Sequence, residues 1–457
     1  MAGRSVITID GLDPASRAAW AEAFVAHGAS QCGFCTPGII MRLAGLSPWP
    51  GPHVSADAVA GALRAHLCRC TGWRSILEAA CSDPGSSSIP RDLVAAAHRA
   101  ELEGRSPQQV GAHVAMGQGG FSDDGAPPGC LVALPDGAGG WVVAESLAQA
   151  REQMGKVQGR RSTVDLTWPL EVAPGTWALT LRTTWVEPAY LEPDASWCEP
   201  GGEPSSPLAN GGAFGGKASS PVASAARELA DRHGRAVRVL FDREDVVRMG
   251  PKRPPVAIGV DEDGRGVMRV LAPRPDIEWD GLRQRVAKVA PGLAVQFVTG
   301  SGPPVSPLIR GAGWVEAAAM LGALRATGPA VEVVSPEGAR AVAQVDGEGI
   351  RVQVTCGRIL DQVVLRSYCL GAAHMALGLV RSEGVALGPD QDPVDLTIRS
   401  WGILRAVDTP CIDVEFEDSS AEPVNGSDAV MAAVAGAVWI AEGLTGFWPT
   451  RQGAGEK

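Results

Sequence analysis

Gln31-Cys32-Gly33-Phe34-Cys35-Thr36-Pro37-Gly38 is followed by Cys68-Arg69-Cys70-Thr71-Gly72, with 32 residues between Cys35 and Cys68. Two close thiol pairs on separated segments can surround one metal centre once those segments fold together. Soft thiolates suit zinc or an iron–sulfur cluster. Zinc sites usually pair cysteines two to four residues apart. The single residue between Cys68 and Cys70 leans the spacing toward iron–sulfur, with zinc still open on spacing alone.

The sequence around these thiols reads as short helices. Asp13 and Pro14 supply an N-cap and a first helical residue, and Trp20, Phe24 and Val25 line one side up to Gly28. A second helix is expected from Thr36 as N-cap and Pro37, burying Ile40 and Leu43 and stopping at Gly45. A third starts at Ser55 with Val59, Leu63 and Leu67 at four-residue spacing, and a fourth at Thr71 with Ile76 and Leu77. Each cysteine pair then sits beside a helix start, where free N–H groups can hydrogen-bond cluster sulfurs. Ahead of them, Val6–Asp10 alternates like a strand, Val6 and Thr8 against Ile7 and Ile9.

The words Q-C-G-F-C-T-P-G and C-R-C-T-G-W-R resemble the helical [2Fe–2S] domain of the xanthine dehydrogenase and aldehyde oxidase family of molybdenum hydroxylases, over about Ser5 to Cys81. The resemblance implies that Cys32, Cys35, Cys68 and Cys70 bind one cluster. It also implies that Gln31 and Cys70 lie next to the pterin of a molybdenum cofactor. The family's ferredoxin-type domain would precede this one and end in a strand such as residues 1–11. Its cysteines are absent here.

The expected fold class is α+β multidomain: a four-helix [2Fe–2S] bundle at 12–81, a linker at 82–120, and a mixed α/β molybdopterin-binding-like region at 121–457, shortened to about half the usual large subunit. Asp83–Ser88 reads as a flexible joint by composition, Arg91–Glu103 as a linking helix, and Arg105–Gly129 as loop. Met116–Gly119 echoes a molybdopterin-contacting loop but stands in the wrong chain order. From Phe121 onward the chain resembles the large subunit. Ser220 is expected to cap a helix running to His233, followed by a strand at Val237–Phe241, a short helix at Arg243–Gly250, and a hairpin turning on Asp261–Gly264.

Composition sets outer limits. The chain has 457 residues, 45% hydrophobic, enough for a large core. A net charge of −11 repels phosphates and argues against nucleic acid as a partner. The longest apolar run, Ala429–Ala441, is too short to span a bilayer, and Met1–Gly11 is no signal peptide. No membrane span and a cytoplasmic location are expected. The six other cysteines read as single buried thiols.

Gly211–Lys217 (GGAFGGK) offers small residues and consecutive N–H groups, a nest that lets backbone approach a ligand. In the family this loop flanks the molybdenum, which makes Gly212, Phe214 and Gly215 cofactor-binding candidates. Arg310, in R-G-A-G, matches an arginine close to substrate. Hydroxylation needs a base to deprotonate a metal-bound hydroxyl. The family's glutamate position holds Ser427, a poor base expected to serve as helix N-cap, with Asp428 and Glu442 as substitutes to consider. Where the family has pterin-holding glutamines, this chain has Tyr368, Gly371, Ala372 and Met375.

Three readings follow. One is an iron–sulfur electron-transfer subunit whose degenerate molybdopterin region is a scaffold. Another is an active molybdenum hydroxylase of aldehydes, purines or N-heterocycles with a rearranged site. The last is a non-redox structural or assembly protein. The first requires partner subunits: a flavin subunit, a ferredoxin-type cluster, or a catalytic large subunit.

Overall fold

The structure is a computed structural model that describes residues 3–46, 54–82, 91–155, 164–210, 212–273, 277–347 and 349–451. The expected joint Asp83–Ser88 and the first glycine of the 211–217 loop lie outside the described residues.

Four helices form the N-terminal bundle: α1 (Pro14–Ala26), α2 (Thr36–Ala44), α3 (Ala56–Ala62) and α4 (Arg74–Cys81). The Asp13 carboxylate accepts from the Ser16 amide at 3.0 Å and the Ser55 hydroxyl from the Ala58 amide at 3.3 Å, satisfying N–H groups that have no helical partner. Their apolar faces share one core of Trp20, Phe24, Ile39, Ile40, Leu63, Trp73 and Ile76. Two starts differ from expectation. Cys35, not Thr36, is the N-cap of α2. α4 begins three residues after Thr71, because Gly72 and Trp73 take positive φ and divert the chain around the second cysteine pair. The expected strand at the N-terminus does not form. Val6 and Ile7 are 58% and 63% exposed, and Ile9–Gly11 is a 3-10 turn packed on α2. Alternation alone does not make a strand without a neighbouring strand to complete its backbone hydrogen bonds.

α5 (Leu93–Gly104) is the linking helix, capped by Asp92, and the loop after it holds one short turn of helix, α6 (Ala112–Ala115). Next come β1 (Leu131–Pro135), β2 (Trp141–Ala144), α7 (Leu147–Met154), β3 (Leu179–Thr183), β4 (Ala195–Cys198), α8 (Val222–His233), β5 (Val237–Leu240) and α9 (Arg243–Met249). Pro221, not Ser220, is the N-cap of α8. The hairpin is β6 (Val256–Val260) with β7 (Gly266–Leu271), followed by α10 (Asp280–Val289), β8 (Leu293–Val298) and α11 (Trp314–Arg325). β9 (Ala330–Val334), β10 (Arg340–Val345) and β11 (Gly349–Thr355) make a meander. It is completed after α12 (Gln362–Arg381) by β12 (Cys411–Glu417), parallel to β11. α13 (Ser427–Ala441) and β13 (Phe447–Trp448) close the chain.

The described strands form three mixed sheets, ordered β2-β1-β5-β4, β12-β11-β10-β9 and β13-β3-β6-β7-β8. α12 and α13 pack on each other at the centre of the largest core, together with α11. α12 is long and apolar enough to cross a membrane by length and composition, yet 89% of its apolar window lies inside the protein. A helix that is apolar all round is what a core position demands. All ten cysteines are free, and Cys411, expected to be buried, is exposed on edge strand β12.

Candidate functional site

The four thiols come together at the seam between the bundle and α12. The Cys32 and Cys70 sulfurs are 3.5 Å apart, and the Cys35 thiol is hydrogen-bonded to Cys68. Among the described residues no three His, Cys, Asp or Glu side chains converge as one bound ion needs. Two separate pairs fit a binuclear cluster, with two thiolates per iron, better than a tetrahedral zinc. The Cys68 thiol is pulled down to about 6, chiefly by the hydrogen bond from Cys35 and then by the Thr71 hydroxyl and the amides of Thr71 and Cys70, against burial. Cys35 and Cys70 are pushed well up, each first by its hydrogen bond to the paired thiol and then by burial. Donors aimed at a buried sulfur are what an anionic cluster requires.

Glycines set how closely other backbone approaches. A Cβ on Gly371 of α12 would lie 1.8 Å from the Cys70 carbonyl oxygen, and one on Gly72 2.5 Å from the Leu370 carbonyl. A Cβ on Gly212 would meet the Cys32 Cβ at 2.9 Å and the Cys70 sulfur at 3.3 Å. The glycine loop therefore rests directly on two of the thiols. The Asn210 amide steadies it, donating to Cys32 O at 3.0 Å and Gly119 O at 2.6 Å. Thus the Met116–Gly119 segment does sit beside the first cysteine pair. Phe214 has φ +50° and packs against both the bundle core and the main core. Gly215 fits under the Leu308 carbonyl, where a Cβ would come within 2.0 Å. Lys217 turns away to pair with Glu192 at 2.6 Å.

Gln31 is buried, and its side-chain amide donates to Cys70 O at 3.0 Å and to the Ser367 hydroxyl at 2.9 Å. Gln108 donates to Gln31 O, and Tyr368 OH donates to Gln108 Oε1 at 3.0 Å. The Ser367 hydroxyl in turn donates to Gly28 O at 2.6 Å. This is a closed polar chain, satisfied by protein groups alone, and the gap beside it is about 20 Å³.

Arg310 is nearly buried. Its guanidinium contacts Asp428 Oδ1 at 2.6 Å, the Ser427 hydroxyl and Met375 Sδ at 3.6 Å, and lies 6.0 Å over the Phe214 ring. The gap between Arg310, Phe214, Met375 and Glu383 is about 30 Å³, room for a water or two. Ser427 is not the N-cap of α13. Gly426 takes that position, and the Glu103 carboxylate caps the helix, accepting from the Gly426 amide at 3.0 Å and the Ser427 amide at 2.8 Å. Glu103 also pairs with Arg99 at 2.6 Å. Asp428 is held by Arg310 and by Arg105 at 2.9 Å. Glu442 sits at the opposite end of α13, about 22 Å from Ser427, paired with Arg381 and Arg451.

Sequence reasoning singled out the thiols, Gln31, the glycine loop, Arg310 and Ser427. It missed Glu103, Arg99, Gln108 and Ser367, which come from other segments. It also missed the reach of Arg69, which lies between the two cysteines and forms a two-pronged ion pair with buried Glu383 at 2.5 and 2.7 Å. The C-R-C spacing carried that signal, since an arginine so placed must find a buried partner.

Residues 8–81 match the family described as [2Fe-2S] binding domain. The nicotine 6-hydroxylase small subunit of Paenarthrobacter nicotinovorans is 41% identical over 83 residues, 18% of this chain and 50% of that one. The xanthine dehydrogenase of Blastobotrys adeninivorans is 40% identical over 89 residues, 18% of this chain and 6% of that one. The sequence matches therefore span half or less of these relatives. In structure, the aldehyde oxidoreductase of Desulfovibrio gigas superposes with a TM-score of 0.66 at 12% identity, covering 94% of this chain and 89% of that one. The chain carries a [2Fe–2S] binding domain of the xanthine dehydrogenase and aldehyde oxidase type, on a mixed α/β molecule with the aldehyde oxidoreductase fold.

Proposed function

We propose that the chain is the iron–sulfur electron-transfer subunit of a xanthine dehydrogenase-like molybdenum hydroxylase complex, and that its region from residue 121 onward is a degenerate molybdopterin-binding fold serving as scaffold. Cys32 and Cys70 hold one iron of a [2Fe–2S] cluster, and Cys35 and Cys68 the other. The cluster domain is 12–81 and the linker 82–120.

The observation that carries the scaffold reading is the saturation of the groups nearest the expected cofactor. Gln31 spends its amide on Cys70 and Ser367, and Arg310 spends its guanidinium on Asp428 and Ser427. The gaps of about 20 Å³ beside Gln31 and about 30 Å³ between Arg310 and Met375 do not admit a pterin, and the cavity of about 230 Å³ on the Asp428 side of Arg310 is not lined by Gln31. No base stands free at Ser427, because the nearby carboxylates of Glu103 and Asp428 are both committed to arginines and, for Glu103, to amides.

A [2Fe–2S] cluster passes one electron at a time, so electrons enter and leave through partners: a catalytic large subunit on one side, a flavin or ferredoxin-type subunit on the other. A cytoplasmic assembly fits this role. Retention of the aldehyde oxidoreductase fold over most of the chain is the observation that favours the second reading, an active hydroxylase.

Metal analysis of protein purified from its own host separates the readings. About two irons per chain, a single EPR signal on reduction and no molybdenum are expected. Bound molybdenum with turnover of aldehydes or purines overturns the scaffold reading. Zinc in place of iron, or a spectrum indifferent to Cys68→Ser, overturns the cluster itself.

A further inference from the structure

A cavity of about 230 Å³ opens between the end of α5, the loop after Gly212, and the turn at Pro307–Gly311. Its apolar wall includes Phe214, Leu308 and Trp314, and its polar wall includes Arg105, Arg285 and Arg310. Arg310 lies deep, on Asp428. Arg105 stands half-exposed at the mouth, shared between Asp428 at 2.9 Å and Glu337 at 2.8 Å. Arg285, on α10, donates to the Pro307 carbonyl at 2.8 Å and forms no ion pair among the described residues. Glu103 also reaches the wall, but Arg99 already balances its charge.

Three guanidinium groups thus face two carboxylates, Asp428 and Glu337, and one positive charge is left over at Arg285. Burial, and then the like charge of Arg105, hold the Arg285 guanidinium below its ordinary value, with Asp428 and Glu337 opposing them only in part. Of the three guanidiniums, Arg285 is the one with no carboxylate in contact among the described residues, so an anion entering the cavity meets an unpaired donor fork there. The volume falls below the roughly 300–1,000 Å³ of pockets for drug-sized ligands, so the occupant is small.

We infer that this cavity binds a small organic monoanion, a carboxylate carried on one flat apolar ring. The carboxylate meets Arg285 and Arg105, whose planar forks match its geometry. The ring lies against Phe214 and Trp314. This goes beyond the electron-transfer reading and does not depend on it.

The test is titration of the iron-replete full chain with benzoate, and with benzamide as its uncharged isostere, by calorimetry. Benzoate is expected to bind, with affinity falling as salt rises. Benzamide, and benzoate on Arg285→Gln, should each bind about tenfold more weakly or worse, the loss of one charged hydrogen-bonding pair. Arg285→Lys, which keeps the charge, should retain salt-sensitive binding and serves if the glutamine variant does not fold. Equal binding of benzamide, binding indifferent to Arg285→Gln, salt-insensitive binding to Arg285→Lys, or no benzoate binding at millimolar concentration overturns the inference. Iron content is read on the same samples. Benzoate binding by a chain that takes up no iron counts against the electron-transfer reading alone.

Discussion

At Gly371 a methyl group would lie 1.8 Å from the carbonyl oxygen of Cys70, so the helix and the cysteine loop touch backbone to backbone. Gly371→Ala should therefore push α12 off the loop, at an overpacking cost of about 1–3 kcal/mol or more, and let chelators strip the iron faster. Gly38, inside α2 and just past the first cysteine pair, has nothing within 4 Å of its would-be Cβ. Gly38→Ala should leave iron retention unchanged and gain up to about 1 kcal/mol of helix stability. Iron release followed by visible absorbance checks both, and equal behaviour of the two variants would refute the packing argument. The contrast also marks what could be read in advance. The four cysteines declare themselves by spacing and neighbours. The demand for glycine at 371 depends on a contact with a segment hundreds of residues earlier, and nothing local signals it.

The N-terminus of α13 shows the same division among elements. A helix start near Ser427 was legible from N-G-S-D followed by an apolar run, but its cap was not. That cap is Glu103, held in place by Arg99 from one turn earlier in α5. Both side chains are fully buried, and Arg99 also donates to the Cys356 sulfur at 2.9 Å and to Val424 O at 3.1 Å. Glu103→Gln keeps the shape and can still accept from the amides, but it strands a buried guanidinium. A loss of about 3–5 kcal/mol in urea unfolding is expected, and a change below about 1 kcal/mol would mean that the pair contributes little. On α12, burial holds the His374 imidazole down to about 4 from the usual 6.5, with Arg69 adding to the depression. The folded protein thus disfavours the protonated ring. The stability due to a neutral His374 is whole above pH 6.5 and is lost as pH falls toward 4. Its order of magnitude is about 3 kcal/mol across that window. His374→Gln should flatten the pH dependence of unfolding between pH 6.5 and 4, and an unchanged slope would show that other groups control it.

Over the whole molecule, the bundle and the rest of the chain share their interior. Phe214 packs on both cores, Arg69 reaches from between two cluster cysteines to Glu383, Arg91 pairs with Asp361 at 2.7 Å, and the Trp73 indole donates to Leu404 O at 3.2 Å. The sequence could suggest two regions joined by a linker, because composition breaks at 83–88. It could not show how tightly they are fastened, because the fastening lies in pairs distant along the chain. Breaking Arg69–Glu383 on one side only leaves a buried charge uncompensated, which costs far more than an exposed pair would. The cluster environment should therefore have no independent stability. On heating, loss of the visible cluster absorption and loss of far-ultraviolet circular dichroism should share one midpoint, as expected for a single cooperative unit. In Glu383→Gln both should fall together. Cluster loss well below the global transition in the unmodified protein would show instead that the bundle opens alone, and that these contacts join two units without coupling them.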